Sequence, residues 1–318
     1  MSAKWIVLIA VLSSSCGFML WGYSPFLGLS RISVIGILAI IAGLLYAFTT
    51  ANDKRVLSPR EKCVGENEHA CDKKTYGFMK PEQLLAWGGL FGAILTWASL
   101  PVIYNTFSVT FGRSYSSMFG DIEYAARISF FHDIPTFVVL GGLTIISTLG
   151  YLQVTRASLI YLVFPTIVTT ISTLLIGFFY FGDPLLGSDL AIPLLIMALI
   201  LFIFSKQSTL NKERVGEVNH VSLSFFGFIT VISEIARSFL IRYSLGTIPD
   251  PSRFFVAICF RALYFSPFIV YSIWYFVRQR SKEAVIAMSS LRRIGVVLTT
   301  SITFVAAYSL STPSFAYN

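Results

Sequence analysis

Long uninterrupted apolar stretches recur along the whole chain. An α-helix rises about 1.5 Å per residue, so about 17–25 apolar residues cross a hydrocarbon core of about 30 Å. Two such stretches, 221–243 and 254–277, carry ionisable residues, and seven others carry no charge: 5–22, 33–50, 84–104, 134–152, 157–180, 190–205 and 294–312. Strands of a membrane barrel alternate apolar and polar residues, which these stretches do not. The pattern predicts an all-α fold, a polytopic transmembrane helix bundle of about nine spans.

The composition supports the same class of protein. Apolar residues make up 55% of the 318 residues, charged residues only 13%, and the mean hydropathy is +0.73. Soluble domains are typically about 45–50% apolar and about 25% charged. These values exclude an ordinary soluble enzyme, a disordered chain and a disulfide-rich secreted module. We therefore expect a lipid bilayer around the chain, and no nucleic acid as a partner despite the net charge of +8.

Lysine and arginine residues are distributed unevenly between the two sides that nine spans define. The side of the N-terminus holds 17 of them and the opposite side 5. Because loops rich in Lys and Arg face the cytoplasm, we expect a multi-pass protein of the cytoplasmic membrane with its N-terminus inside. A tenth span within 105–133 would flip every later loop and remove the bias. The charges of 105–133 favour an outer loop or a surface-lying helix.

The chain changes composition once, at the polar segment 51–83. This segment separates a predicted N-terminal transmembrane hairpin, 1–50, from a predicted transporter-like helix bundle, 84–318. We expect 51–83 to be a solvated cytoplasmic loop. The first span is expected to be retained, because its apolar run continues through Trp21 towards a second span and does not stop as a signal peptide does.

Three glycines in the third predicted span form a packing motif, Gly88-Gly89-x-x-Gly92. Gly88 and Gly92 are four residues apart and share a helix face. Small residues at this spacing let the backbone of a neighbouring helix approach closely. The motif predicts tight helix packing and carries no information about activity.

Motifs for metal binding or catalysis are weak in this sequence. The polar loop contains Cys63, His69 and Cys71, but a structural zinc site normally needs four ligands. A solvated loop is therefore favoured over a metal or redox site. The sequence contains no phosphate-cradling loop, metalloprotease helix or nucleophile elbow. We expect no enzyme, no metal and no cofactor.

Three ionisable residues lie inside predicted spans, where charge is costly and typical of a functional path. Glu234 and Arg237 are three residues apart and share a helix face. By the helix rise, Arg237 and Arg261 each lie about 7–8 Å beyond the bilayer midplane on the same side. One carboxylate neutralises one guanidinium, so the remaining positive charge favours an anionic or zwitterionic ligand. The alternatives are a structural salt-bridge network and an arginine that snorkels to the interface.

Two predicted spans contain internal prolines, Pro165 and Pro267. Each proline removes a backbone donor and tends to kink its helix. Tyr161 and Tyr264 lie in the same two spans, and their hydroxyls are candidate contacts for a bound solute. The predicted substrate-binding residues are therefore Glu234, Arg237, Arg261, Tyr161 and Tyr264.

Residues 157–205 resemble a helix pair of the drug/metabolite (EamA-like) transporter superfamily. In that family an apolar helix with a central proline, here Pro165, ends in a Gly-Glu pair, and Gly182-Asp183 takes that place in this chain. The segment AWGGLFGAILTW at 86–97 is similar to the opening helix of the family. The resemblance implies ten helices in two inverted repeats of five, whereas the charge distribution favours nine. We therefore expect a divergent or truncated member of this superfamily.

These patterns predict a carrier that moves a small polar or anionic metabolite across the cytoplasmic membrane by alternating access. Arg237 and Arg261 are expected to bind the negative group of the solute, and Glu234 to balance charge or carry a proton. Two other functions stay open. One is a non-transporting membrane subunit in a homo- or hetero-oligomer, and the other is an integral-membrane enzyme that acts on lipid-linked substrates with the polar residues of 105–133.

Overall fold

The structure of the chain is a computed structural model. It describes residues 3–23, 28, 31–57, 79–111, 115–131, 133–157, 160–183, 195, 220–246, 248, 253–279, 288 and 291–317. The helices in these ranges are α1 (Ala3–Tyr23), α2 (Arg31–Leu57), α3 (Pro81–Phe111), α4 (Tyr115–Arg127), α5 (Thr136–Ala157), α6 (Ile160–Phe181), α7 (His220–Gly246), α8 (Arg253–Gln279) and α9 (Leu291–Tyr317). One antiparallel hairpin pairs β1 (Ser129–Phe131) with β2 (Ile134–Pro135). The predicted helical class is confirmed.

Seven of the described helices are long and apolar enough to cross a bilayer. Their apolar stretches are Val34–Leu57, Pro81–Asn105, Thr136–Arg156, Phe164–Phe181, Ser222–Gly246, Arg253–Arg278 and Leu291–Leu310. The chain is therefore a multi-pass helical membrane protein. The predicted span 5–22 lies in α1, whose apolar stretch Val7–Gly17 is shorter. The predicted span 190–205 lies outside the described residues apart from Leu195.

The segment between the third and fourth predicted spans folds into a short helix and the hairpin. Helix α4 has 13 residues, about 20 Å of helix, which is less than the hydrocarbon thickness of about 30 Å. Met118, Asp121 and Ala125 form its buried face, while Glu123 and Arg127 pair on its exposed face. This spacing of buried residues is that of an amphipathic helix lying on the rest of the fold.

The helices form two compact units, one of Met1–Gly142 with Leu240–Asn318 and one of Leu143–Phe239. In the first unit α9 packs against α1, α2, α3 and α8. Helix α3 packs along α8, and α4 packs on both of them. Helix α2 continues to Leu57, so the polar segment that begins at residue 51 starts with two further helical turns.

Helices α3 and α9 meet through the glycine face of α3. An added Cβ at Gly88 would lie 3.9 Å from Ser301 Oγ, and one at Gly92 would lie 3.9 Å from Val305 Cγ2. Ser301 Oγ also donates a hydrogen bond of 3.3 Å to the Gly88 carbonyl oxygen. Both 3.9 Å separations are ordinary van der Waals contacts, so this face touches α9 without requiring glycine; the closer approach is at Gly89, whose added Cβ would collide with Phe268 on α8. Because both residue numbers rise together along the contact, α3 and α9 run in the same direction.

Helix α9 runs opposite to α2. Thr49 Oγ1 lies 2.9 Å from Thr303 Oγ1, and the rings of Tyr46 and Tyr308 meet at 6.2 Å between centroids. The residue number therefore falls along α9 as it rises along α2. Five hydroxyl residues of α9 are buried: Thr299, Thr300, Ser301, Thr303 and Ser309. Interhelical hydroxyl contacts of this kind stabilise helix pairs in lipid.

Helix α8 runs opposite to α3. Near one end of the pair, Ser272 Oγ donates a hydrogen bond of 2.7 Å to the Ala86 carbonyl oxygen. Near the other end, the Tyr104 hydroxyl lies 3.3 Å from Cys259 Sγ. Helix α8 is the most deeply buried candidate span among those described, with 67% of its apolar window inside the fold.

The second unit is built from α6 and the adjoining parts of α5 and α7. Its buried apolar core consists of Val154, Leu162 and Leu223, one residue from each helix, with Tyr151 and Phe226 packed around them. Helices α6 and α7 touch where an added Cβ at Gly227 would lie 3.5 Å from Pro165 Cγ.

Helices α5 and α7 approach each other at Gly150. An added Cβ there would lie 3.0 Å from the Phe226 carbonyl oxygen and would collide with Thr230 Oγ1. One turn earlier on α5, Ser147 reaches Glu234, which lies one turn later on α7. The two helices therefore run in opposite directions. Only a residue without a side chain allows this separation between them.

Candidate functional site

The second unit contains the ion pair that the three-residue spacing on α7 predicts. Arg237 Nη2 donates a hydrogen bond to Glu234 Oε2, and Ser147 Oγ donates to Glu234 Oε1. Both carboxylate oxygens of Glu234 are thus engaged, one within α7 and one from α5. The pair is half-buried, with 13% of the Arg237 side chain and 25% of the Glu234 side chain exposed.

The pair combines two chemical capacities in one place. A guanidinium presents a planar fork of donors that matches a carboxylate or phosphate. A carboxylate inside a membrane-spanning segment can take up a proton when its counter-charge is withdrawn. Both groups keep some exposure, 13% for the Arg237 side chain and 25% for the Glu234 side chain. The arrangement is suited to exchanging one anion for another at the Arg237 guanidinium.

Close helix packing holds the pair in position. Gly150 and Thr230 lie in the turns next to Ser147 and Glu234, and Thr230 is buried. Its Oγ1 donates a hydrogen bond of 2.8 Å to the Phe226 carbonyl oxygen. Next to the ion pair, α5 and α7 are therefore packed so closely at Gly150 that an added methyl group would not fit.

Arg261 lies in the first unit and is 5% exposed. Its Nη1 donates to Ser309 Oγ at 3.2 Å and its Nη2 to the Val305 carbonyl oxygen at 3.0 Å. Its guanidinium carbon lies 4.8 Å from the centre of the Tyr308 ring and 5.8 Å from that of Phe265. These contacts hold α8 against α9. They agree with the alternative in which Arg261 has a structural role. A role of Arg261 in substrate binding stays a prediction.

The two tyrosines of the predicted site have different positions. Tyr264 is buried in the first unit, and its ring stacks on Phe265 at 5.3 Å between centroids. Its carbonyl oxygen lies 3.0 Å from the position of an added Cβ at Gly141. Tyr161 lies in the first turn of α6, and its side chain is outside the described part of the structure. Their predicted roles in binding stay predictions.

A buried polar cluster that the sequence did not predict lies where α3, α4 and α8 meet. The Tyr104 hydroxyl donates a hydrogen bond of 2.8 Å to Asp121 Oδ2 and lies 3.3 Å from Cys259 Sγ. All three side chains are buried. Asp121 belongs to the charged segment 105–133, for which the sequence predicts an outer loop or a surface-lying helix. The spacing of Asp121 with Met118 and Ala125 on one face of α4 is the signal that could have found it.

Metal sites built from acidic, histidine and cysteine side chains are not found in the described residues, where no three such groups come together. The loop residues Cys63, His69 and Cys71 lie outside the described residues.

Comparisons with protein-family models, with curated proteins and with solved structures find no match. The resemblance to the EamA-like superfamily stays a prediction. The fold and the site together define a class: a multi-pass helical membrane protein with an ion pair inside its apolar helices.

Proposed function

We propose that this protein is a membrane transporter that binds a small polar or anionic solute at the Glu234–Arg237 pair and moves it by alternating access. The observation that supports this is the pair itself, half-buried on a helix of membrane-crossing length and hydrogen-bonded to Ser147. Ionisable residues in such helices are costly, and by default they line a path for a substrate or an ion.

Exchange at Arg237 is the proposed binding step. The negative group of the solute replaces the Glu234 carboxylate on the guanidinium, and the freed Glu234 binds a proton from the bulk solution on the side from which the solute enters. One anion and one proton enter together, so the net charge of the site stays the same in both states. Ser147 holds Glu234 in either protonation state, because a hydroxyl both donates and accepts hydrogen bonds.

We also propose nine crossings with the N-terminus in the cytoplasm. The parallel direction of α3 and α9 supports this count, because an odd number of spans between two helices returns the chain to its first direction. Five predicted spans lie between them, and a span within 105–133 would make six and reverse α9. The opposite directions of α5 and α7 agree, since two predicted spans, 157–180 and 190–205, lie between them.

Uptake into proteoliposomes tests the proposed transport. Full-length protein is reconstituted and offered radiolabelled glutamate, succinate, glucose phosphate and phosphoserine with and without an inward proton gradient. We expect saturable uptake of at least one anion above protein-free vesicles, and a larger initial rate with the gradient. Absence of uptake for the whole panel in correctly oriented, folded protein contradicts transport of small anions.

A non-transporting membrane subunit is the second candidate function. In this reading the ionisable residues of the spans are structural, as Arg261 is through its hydrogen bonds to Ser309 Oγ and the Val305 carbonyl oxygen. Gentle purification from the native membrane separates the two candidates. A partner that co-purifies at a fixed stoichiometry, together with no uptake by the isolated chain, supports the subunit.

A further inference from the structure

A buried carboxylate near the end of α2 has no partner in the described part of the chain. Asp53 is 4% exposed, and its Oδ1 atom is buried without a hydrogen bond among the described residues. No described residue forms an ion pair with it. Burying an ionised carboxylate without compensation is very unfavourable, so a donor or an opposite charge is required there.

Two buried hydroxyl residues lie about one helical turn from Asp53 along the α2–α9 interface. Thr49 precedes Asp53 by one helical turn, and residues at this spacing have Cβ atoms about 5–6 Å apart. Thr49 Oγ1 lies 2.9 Å from Thr303 Oγ1 on α9, and both residues are buried. An ion between the carboxylate and this hydroxyl pair would contact all three groups.

A further hydroxyl comes from α9. Because α2 and α9 are antiparallel, the turn that follows Thr49 on α2 faces the turn that precedes Thr303 on α9. That turn carries buried Thr299, whose Oγ1 donates a hydrogen bond of 2.6 Å to the Gly295 carbonyl oxygen. A hydroxyl that donates its proton to the backbone keeps its lone pairs for another ligand. Thr299 therefore offers an oxygen at the level of Asp53.

We propose that Asp53, Thr49, Thr299 and Thr303 form a binding site for a monovalent metal cation of the sodium type. Hard cations prefer oxygen ligands, and one carboxylate among neutral hydroxyls balances a single positive charge. A lone proton would need only one acceptor, whereas the register of α2 and α9 brings three buried hydroxyl residues within about one helical turn of Asp53. Lys54, the next residue, projects about 100° away around the helix.

The site lies at the end of the α2–α9 interface, in the first unit. It does not depend on the transport activity proposed for the second unit, and it is tested without any solute. The end of α2 leads into the polar segment after Leu57.

Thermal unfolding of the purified full chain in detergent tests the site, with sodium chloride replaced stepwise by choline chloride at constant ionic strength and pH. We expect the Tm of the natural protein to rise by about 2–4 °C for each tenfold increase in sodium above the dissociation constant. Asp53→Asn and Thr303→Val should lose this response. Glu123→Gln, which changes an exposed carboxylate on α4, should keep it.

Asp53→Asn is nearly isosteric, and its Tm in choline should equal or exceed that of the natural protein, because an uncompensated buried charge is removed. The Tm in choline therefore distinguishes a variant that has lost the sodium dependence of its Tm from one that does not fold. Three outcomes overturn the proposal: a natural protein whose Tm ignores sodium, a sodium response that persists in Asp53→Asn, and a stabilisation that follows pH instead of sodium.

Discussion

The Tyr104 hydroxyl donates a hydrogen bond of 2.8 Å to Asp121 Oδ2, and this contact fastens α4 to α3 inside the first unit. The same hydroxyl lies 3.3 Å from Cys259 Sγ on α8. Three helices therefore meet at one phenol oxygen. The short amphipathic helix α4 is held in place by the buried Tyr104 hydroxyl and by the packing of its own buried residues Met118 and Ala125.

Tyr104→Phe removes this donor and keeps the ring. We expect a loss of about 1–3 kcal/mol in the free energy of unfolding, the usual effect of removing one partner of a buried, charged hydrogen bond. Thermal and denaturant unfolding in detergent measure it. Glu123→Gln, on the exposed face of the same helix, should change stability by no more than about 0.5 kcal/mol. An unchanged Tyr104→Phe protein would show that the hydrogen bond does not fasten α4.

Gly141→Ala tests the close contact between α5 and α8. The added Cβ would lie 2.8 Å from Pro267 Cβ and 3.0 Å from the Tyr264 carbonyl oxygen. A clash with backbone and a rigid ring is expected to destabilise the protein by about 1–3 kcal/mol. Gly142→Ala is the matched control, because nothing lies within 4 Å of its added Cβ. Equal stability of the two variants contradicts the contact.

Arg261→Lys and Arg261→Ala test the link between α8 and α9. Lysine keeps the charge but lacks the planar guanidinium, which donates to Ser309 Oγ and to the Val305 carbonyl oxygen at the same time. We expect both variants to unfold at lower temperature, with alanine the more severe, in size-exclusion and thermal assays. Arg278→Ala, whose side chain is exposed over Trp274, should remain stable. A stable Arg261→Ala protein that no longer binds solute would assign Arg261 to the substrate instead.

Labelling of introduced cysteines tests the proposed nine crossings. Gly120 is exposed on α4, and an added Cβ there meets nothing within 4 Å. In a background without Cys16, Cys63 and Cys71, Gly120→Cys should react with an impermeant maleimide on intact cells. Lys80→Cys, before α3, should react only after permeabilisation. Labelling of residue 120 only in permeabilised cells would put it in the cytoplasm and contradict nine crossings.

The apolar pattern predicted the seven described spans, because the ability of a helix to cross lipid depends on the length and hydropathy of its own segment. The Glu234–Arg237 pair could also be predicted from the sequence, because residues three apart on a helix share a face whatever the tertiary packing. Ser147 was not predicted, because its contact with Glu234 depends on how α5 packs against α7. Periodicity within one helix does not carry that information.

The burial of charged residues outside the apolar stretches could not be predicted from the sequence. Asp53 and Asp121 lie in segments whose polarity indicates solvent, yet both side chains are buried. Likewise the acceptors of Arg261 come from α9, almost fifty residues later. Pairings of this kind follow from tertiary packing, which a single sequence without an alignment does not reveal.

The exchange of an anion at Arg237 is tested most directly by initial uptake rates in proteoliposomes. Whichever labelled anion of the panel the natural protein takes up is offered to Arg237→Ala, to Glu234→Gln and to Arg127→Ala, a control from the exposed pair on α4. The account predicts uptake at least tenfold lower for Arg237→Ala, loss of the proton-gradient effect in Glu234→Gln, and natural rates for Arg127→Ala. Full, gradient-stimulated uptake by folded Arg237→Ala and Glu234→Gln would contradict it.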